Sequence, residues 1–305
     1  MNLSRRTVLA GAGAAAAVAA GTVAASSASA QAAPRFSLGY APHEGSFASR
    51  GNRLEQIAYA ADQGFTAWED NEAAGRSIEE QTAMARALRQ RGMTMGVFVA
   101  SMPKWAEFRP LLGGNDNGDR EAFLADIRAS IDVARRLDAK WMTVVPGFLD
   151  RRLPVEIQTA RVIDTMRRAA EIVEPHGLVM VMEPLNTLTD HPGVFLQTVP
   201  QGFAIAEGVN SPAVKVLADL YHEQIQAGNL IRTLETCWDE IAYIQFGDNP
   251  GRKEPGTGEI NYRNVVRWLR AKQFAGVIGM EHGNSIEGSA GEDRLVAAYR
   301  EIDAA

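Results

Sequence analysis

Cysteine is nearly missing from these 305 residues: Cys237 is the only one, so no internal disulfide can form and stability must come from a large core. Histidine is sparse as well, with five in the chain, too few for a site built from many imidazoles. Cations are outnumbered, 31 Lys and Arg against 37 Asp and Glu, giving a formal charge of −6. An acidic surface repels phosphate backbones, so no nucleic-acid partner is expected. Beyond residue 30 no apolar run is long enough to span a bilayer, so no stable membrane insertion is expected. Gly-Lys-Ser/Thr is absent after the Gly-rich stretch at Pro255, Gly256 and Gly258, so those residues shape a loop rather than cradle phosphate.

What is present begins with a segment foreign to a folded domain. Ser4-Arg5-Arg6-Thr7-Val8-Leu9 carries a twin-arginine pair, an uncharged Ala/Gly/Val run follows to Ala25, and Ala28-Ser29-Ala30 offers small residues at the spacing a signal peptidase reads. Residues 1–30 are therefore expected to be a twin-arginine signal peptide, and the protein to be exported, periplasmic or secreted. Its removal takes away two arginines and no acid, moving the formal charge from −6 to −8.

From Pro34 onward, short apolar runs alternate with longer amphipathic stretches. Expected strands are Phe36–Tyr40, Thr66–Glu69, Thr94–Ala100, Trp141–Pro146, Leu178–Glu183, Val214–Asp219, Ile241–Phe246 and Val277–Glu281. Expected helices are Arg53–Gln63, Ile78–Arg91, Arg120–Leu137, Glu156–Glu174, Gln201–Glu207, His222–Thr233, Tyr262–Ala271 and Gly291–Ile302. Gly64, Gly92 and Gly177 suit helix C-caps. Repeated strand–helix units leave a closed barrel or an open doubly wound sheet. An open sheet would show a Gly-rich fingerprint after its first strand, where this chain has Ala41-Pro42-His43-Glu44-Gly45. The expected fold is α/β, a single-domain (β/α)8 barrel over residues 34–305, with Gly113–Gly118 as a surface loop or lid.

Catalytic groups of such barrels lie at the C-terminal strand ends. Four successive late strands finish in Glu183, Asp219, Gln245 and Glu281, at intervals of 36, 26 and 36 residues, so each strand–helix unit returns its oxygen-bearing group to the same rim. Buried together, three carboxylates cost several kcal/mol per ion unless a cation neutralises them. Three carboxylates and one amide oxygen form a hard set suited to Mg2+ or Mn2+, with Zn2+ or Co2+ left open. His43 and Glu69, at early strand ends, are candidate pocket groups. Trp68, Phe98 and Trp105 read more readily as packing than as sugar platforms, His176 as a helix-end residue and Cys237 as a packed thiol.

The runs Glu183-Pro184-Leu185-Asn186, Asp219-Leu220-Tyr221-His222 and Gln245 to Tyr262 (QFGDNPGRKEPGTGEINY) resemble the hydroxypyruvate isomerase family, of the xylose-isomerase-like superfamily of barrels. With Pro192-Gly193-x-Phe195-Leu196 and the stretch Lys215–Ile231, the resemblance covers most of residues 178–285 and is thin before that. It implies that Glu183, Asp219, Gln245 and Glu281 hold a divalent metal. It also implies that Glu183 and Glu281 are an acid/base pair moving a proton between adjacent carbons of an α-hydroxy carbonyl substrate, and that His222 and Arg252 bind substrate oxygens. Metal chelation by carbonyl and hydroxyl oxygens would stabilise an enediolate.

Two departures alter the expected substrate. Thr187-Leu188-Thr189-Asp190 stands where the family commonly has a basic residue, and His282-Gly283-Asn284-Ser285 replaces its tyrosine-containing loop. Both favour a neutral sugar or glycoside over a small anion. The expected activity is a sugar or hydroxy-carbonyl isomerase or epimerase acting on a small carbohydrate. A lyase or hydrolase of keto-glycosides and a non-catalytic carbohydrate-binding barrel are the alternatives, and a homo-oligomer is left open. An endonuclease of the superfamily, with several zinc ions and many histidines, fits neither the histidine count nor the charge.

Overall fold

The computed structural model describes residues 33–305, so the expected signal segment lies outside the described residues. Nine short parallel strands alternate with helices. The strands are β1 (Gly39–Ala41), β2 (Ala67–Trp68), β3 (Thr94–Met95), β4 (Val99–Ser101), β5 (Trp141–Val144), β6 (Val179–Met182), β7 (Val214–Asp219), β8 (Ile241–Gln245) and β9 (Val277–Gly279). Seven of them hydrogen-bond in the order β4-β5-β6-β7-β8-β9-β1, while β2 pairs with β3. A parallel bridge between His43 and Glu69 links the β1 and β2 ends. Strands β3 and β4 are the two halves of the single strand expected at Thr94–Ala100. Counted as one stave, they complete a TIM-barrel-like ring of eight.

The break between those halves has a local cause. Gly96 N donates to Trp68 O (2.7 Å), and Val97 N faces the phenol oxygen of Tyr243 at 3.4 Å. A Cβ on Gly96 would lie 2.4 Å from that oxygen, so only glycine lets the stave bend around the ring.

Helices α1 (Arg53–Asp62), α2 (Ile78–Arg91), α3 (Asn117–Leu137), α4 (Val155–Val173), α5 (Val199–Val209), α6 (Leu220–Gln226), α7 (Leu230–Thr236), α8 (Tyr262–Ala271) and α9 (Gly288–Asp303) follow the strands. Their ends obey the capping chemistry. Asn52 and Ser77 form capping boxes with Glu55 and Glu80, and Gly92 and Gly177 close helical segments in the left-handed region. The single helix expected at His222–Thr233 is two, because Gly228 (φ +67°) and Asn229 (φ +54°) are left-handed and break the hydrogen-bond ladder. In the loop expected at Gly113–Gly118, residues 113–115 are turn and bend, and its last two residues open α3, where Asp116 accepts from Gly118 N (2.7 Å) as the N-cap. No helix among the described residues is long and apolar enough to cross a membrane.

Strand residues divide by parity. Val181, Leu217, Tyr243 and Val277 point inward with Ala41, Ala67 and Val97, forming a small buried cluster that plugs the barrel. The alternate residues, such as Met180, Val216, Ile244 and Ile278, join a much larger buried cluster that includes apolar residues of the surrounding helices. Burying a Val, Leu or Met side chain is worth about 1.5–3 kcal/mol, so the outer layer carries most of the stability. Two residues further along the inward series lie Glu183, Asp219, Gln245 and Gly279, with Glu69 two beyond Ala67. The strand period thus lifts the polar groups onto the roof of the apolar plug.

Outside the barrel mouth, Glu292 is buried and clamps the N-terminal half of α9 to residues 49–50, accepting from Ser49 N (2.6 Å), Ser49 Oγ (2.5 Å) and Arg50 Nε (2.6 Å). Burial alone would raise its pKa, but the Ser49 and Arg50 bonds outweigh it and hold the carboxyl below its ordinary value. A depressed folded pKa means stabilisation that is complete above the unfolded value and disappears as pH falls through the folded one. Glu292→Gln should therefore cost about 1–3 kcal/mol at neutral pH. In urea titrations the gap from the parent protein should close below about pH 4; a gap independent of pH would show that the charge contributes nothing.

Candidate metal centre and active site

The site is built from the ends of β6, β7, β8 and β9. Val-Met-Val-Met of β6 delivers Glu183, and register pairing across β7 and β8 sets Asp219 directly opposite Gln245. Glu281 follows β9, and its backbone carbonyl accepts from Arg252 Nε (3.2 Å). The sequence expectation that these four groups share one rim concerns residues that the fold does bring together. Glu183, Asp219 and His222 each offer a ligand atom within 4.8 Å of the others, a Glu/Asp/His group that could hold a metal ion.

Little positive charge balances this mouth. Arg252 is the guanidinium among the acids, with Nη2 3.2 Å from Asp219 Oδ2 and 3.3 Å from Glu281 Oε1. Its planar head lies over the Tyr221 ring, 4.8 Å from the centroid, which holds it against the cluster. Burial drives the Glu183 carboxyl well above its ordinary pKa, and the negative charges of Glu281 and Asp219 add to the shift against Arg252. Asp219 is also raised by burial despite Arg252 and the Tyr221 and His222 N–H groups, and Glu281 is raised by burial and by Asp219. A group of acids that all resist ionisation is one short of positive charge.

The donor atoms fit a hard divalent ion. Glu281 Oε2 and Gln245 Oε1 are buried without a hydrogen-bond partner among the described residues. Glu183, 8% exposed, is perturbed by burial and by charges alone, without a hydrogen-bonding group acting on it. Unpartnered buried oxygens normally cost a few kcal/mol each, and their convergence with Asp219 is what a cation would resolve.

His222 belongs to the same geometric group, but its neighbours fix its chemistry. The Asn186 amide oxygen accepts from Thr189 N and Asp190 N, both at 3.0 Å, so its nitrogen must face the other way. That nitrogen donates to Asp190 Oδ2 (2.6 Å) and to His222 Nδ1 (2.7 Å). Nδ1 is therefore an acceptor and the neutral ring carries its proton on Nε2, a tautomer assigned from the network. Burial, then Arg252 and His191, keep the imidazole neutral by pushing its pKa well below the usual value. Nε2 lies 3.6 Å from Asp219 Oδ2 and 3.3 Å from Arg252 Nη2, two donors facing one carboxylate oxygen. A protonated Nε2 has no lone pair for a metal; it can donate to an oxygen.

The remaining expected pocket residues lie around this centre. His43 is at the rim, its ring nitrogens 2.7 Å from Glu44 O and 3.2 Å from His282 O. Glu69 is beneath the mouth, 1% exposed, with Oε2 accepting from Tyr243 OH (2.8 Å) and Oε1 from Gln245 Nε2 (2.9 Å). Where the sequence reading made it a candidate substrate contact, the structure places it in the buried floor of the site with a neighbour on each oxygen. His282 is buried, with Nε2 2.9 Å from Tyr299 OH.

Arg252 owes its place to a residue that sequence reasoning passed over. Asp248, fully buried, accepts from Asn249 N (3.0 Å), Gly256 N (2.8 Å), Gly258 N (2.9 Å) and Ile260 N (3.0 Å), gathering the Pro/Gly-rich run into one knot. Within it Arg252 is left-handed (φ +51°), and a Cβ on Gly258 would fall 2.2 Å from Asn249 O. The available signal was an acid embedded among glycines and prolines, in an irregular run whose N–H groups have no helix or strand ladder to join. Asn186 and Tyr243 were likewise missed, although Tyr243 stands two residues before Gln245 on one inward-facing strand side.

Comparisons with known proteins agree with this architecture. Residues 57–301 match the family described as Xylose isomerase-like TIM barrel. The chain belongs to that family. Hydroxypyruvate isomerase of Escherichia coli is 31% identical over 165 residues, 54% of this chain and 64% of that protein's length, just under two thirds of it. The 2-oxo-tetronate isomerase of Cupriavidus necator is 29% identical over 243 residues, covering 78% of this chain and 90% of the other. Among solved structures, a Brucella melitensis protein titled as an AP endonuclease of family 2 superposes with a TM-score of 0.74 at 26% identity, covering 87% of this chain and 98% of the other.

Removing the Asp248 hub leaves four N–H groups, that of Ile260 buried and the others partly so, without their acceptor. Asp248→Ala should lower stability by about 3 kcal/mol, and limited proteolysis should then cut within residues 247–262. Resistance to cleavage equal to that of the parent would show that the loop is held by other contacts.

Proposed function

We propose that this chain is a divalent-metal-dependent isomerase or epimerase of a small hydroxy-carbonyl compound or sugar, of hydroxypyruvate isomerase type. The observation that carries this reading is the pair of acids at the barrel mouth, Glu183, with a ligand atom within 4.8 Å of one on Asp219, and Glu281, with Oε2 buried and unpartnered among the described residues. The isomerase names of the Escherichia coli and Cupriavidus necator relatives support it.

Glu183, Asp219, Gln245 and Glu281 would hold the ion, Mg2+ or Mn2+ in preference to Zn2+ or Co2+, since every donor is oxygen. When bound, it supplies Lewis-acid polarisation of the substrate's carbonyl and neighbouring hydroxyl oxygens. The rest is done by the chain's own groups. One carboxylate of the Glu183–Glu281 pair takes the proton from the carbon next to the carbonyl, and the released electron pair moves onto the carbonyl oxygen to give an enediolate. The other returns a proton, to the opposite face of the same carbon for epimerisation or to the adjacent carbon for isomerisation, in which case the neighbouring hydroxyl also passes its proton to the former carbonyl oxygen. His222 Nε2–H and the Arg252 guanidinium are donors for substrate oxygens.

The loop after β6 favours a neutral substrate. It carries Asp190, held by Asn186, and Thr187, whose N donates to Gln226 Oε1 (2.8 Å), with no cation among residues 187–190. A formal charge of −6 disfavours a DNA substrate of the kind named for the Brucella protein.

Glu183→Gln should lower turnover about 100- to 10,000-fold at saturating metal, and should abolish wash-in of solvent deuterium at the substrate carbon while metal stoichiometry is kept. Wash-in at the parent rate would remove Glu183 from the proton-transfer step. We also propose export by the twin-arginine route; replacing both Arg5 and Arg6 by lysine should leave the unprocessed chain in the cytoplasm, and unaltered processing would reject that route.

A further inference from the structure

A carboxylate buried among apolar side chains is costly, and Glu69 is such a group, 1% exposed directly above the plug formed by Ala67, Val97 and Tyr243. Each of its oxygens accepts from a neighbour, Oε2 from Tyr243 and Oε1 from Gln245. The fold nonetheless makes room for it twice. A Cβ on Gly279 would lie 2.0 Å from Glu69 Oε2 and 2.8 Å from Gln245 Cγ, and a Cβ on Gly96 would lie 2.4 Å from the Tyr243 hydroxyl. Neither glycine has positive φ, so what they provide is space.

The consequence falls on Gln245. An amide presents either oxygen or NH2 to a site, and only oxygen can ligate a hard cation. Gln245 Nε2 donates to Glu69 Oε1 (2.9 Å), and the reversed amide would set its oxygen against a carboxylate oxygen. Its Oε1 is thereby left buried and unpartnered opposite Asp219. Tyr243 OH, donating to Glu69 Oε2 (2.8 Å), fixes the carboxylate's own rotation.

The geometry points to Glu69 as a positioning residue, braced by Tyr243, whose task is to lock the Gln245 amide with its oxygen toward the metal site. This rests on the metal-centred reading above, with Gln245 as a ligand. Glu69 touches neither substrate nor ion; it acts through Gln245.

The test is Mn2+ binding to the metal-stripped protein, followed by the electron paramagnetic resonance signal of free Mn2+. Glu69→Met, which keeps volume but accepts no hydrogen bond, should weaken Mn2+ binding about 10- to 100-fold, and Glu69→Gln, which retains an acceptor oxygen, should stay within about threefold of the parent. Thermal melts of the metal-free proteins verify folding, with Glu69→Ala as the second variant should Glu69→Met not fold. In a Gln245→Glu background both ligand oxygens are equivalent and no orientation needs locking, so losing Glu69 should no longer weaken binding. Equal weakening in both backgrounds would overturn the proposal, because a merely structural role predicts it. Weakening by Glu69→Gln as large as by Glu69→Met would overturn it in favour of a charge effect, and no weakening by Glu69→Met would end it outright. A parent protein that takes up no Mn2+ would instead overturn the metal-centred reading, and this inference with it.

Discussion

The molecule is organised around acids crowded above an apolar barrel, with one guanidinium to answer them. Glu69, Glu183 and Asp219 are buried and Glu281 is partly so, while among the described residues Arg252 is the guanidinium that reaches into their midst. In so poor a dielectric, like charges repel strongly and each acid is pushed toward its neutral form. Nearby features answer that repulsion. Tyr221 lies against the guanidinium, Asp248 gathers the loop that carries it, and Asn186 sets the proton on the nearest imidazole. The large outer hydrophobic layer makes such a concentration tolerable, since a few costly groups can be carried by many buried apolar side chains.

Legibility from sequence followed the reach of each physical signal. Strand and helix periods are local, so α2, β7 and α8 have the bounds expected of them, and the intervals between successive strand ends put Glu183, Asp219 and Gln245 on one rim. Most of what failed was set by distant side chains. Nothing within Thr94–Ala100 says that a phenol from residue 243 will split the strand, and the split of the sixth helix turned on Gly228 and Asn229 within an otherwise helical pattern. Glu69 could be placed at a strand end, but whether its oxygens were free depended on partners at positions 243 and 245. The same limit hid the His222 tautomer, decided by an amide 36 residues away whose own direction is set by two backbone N–H groups.

The site separates two kinds of demand on a side chain. Glu183 and Glu281 must keep oxygens available, so they have few partners, while Asn186 and Asp248 are saturated with theirs. Availability at one residue is maintained by saturation at another. This is the usual relation between groups that react and groups that hold them, and it explains why the most heavily hydrogen-bonded acid of the region, Asp248, faces the backbone.

The knot around Asp248 has a kinetic corollary. With residues 248–260 tied back on themselves, the backbone beneath Arg252 is poorly suited to swing as a flap. Any retreat of that guanidinium falls instead to rotation about its own side-chain bonds, against its pairs with Asp219 and Glu281, rather than to loop rearrangement. Access to the acids would then be governed by a swivelling arm on a fixed mount.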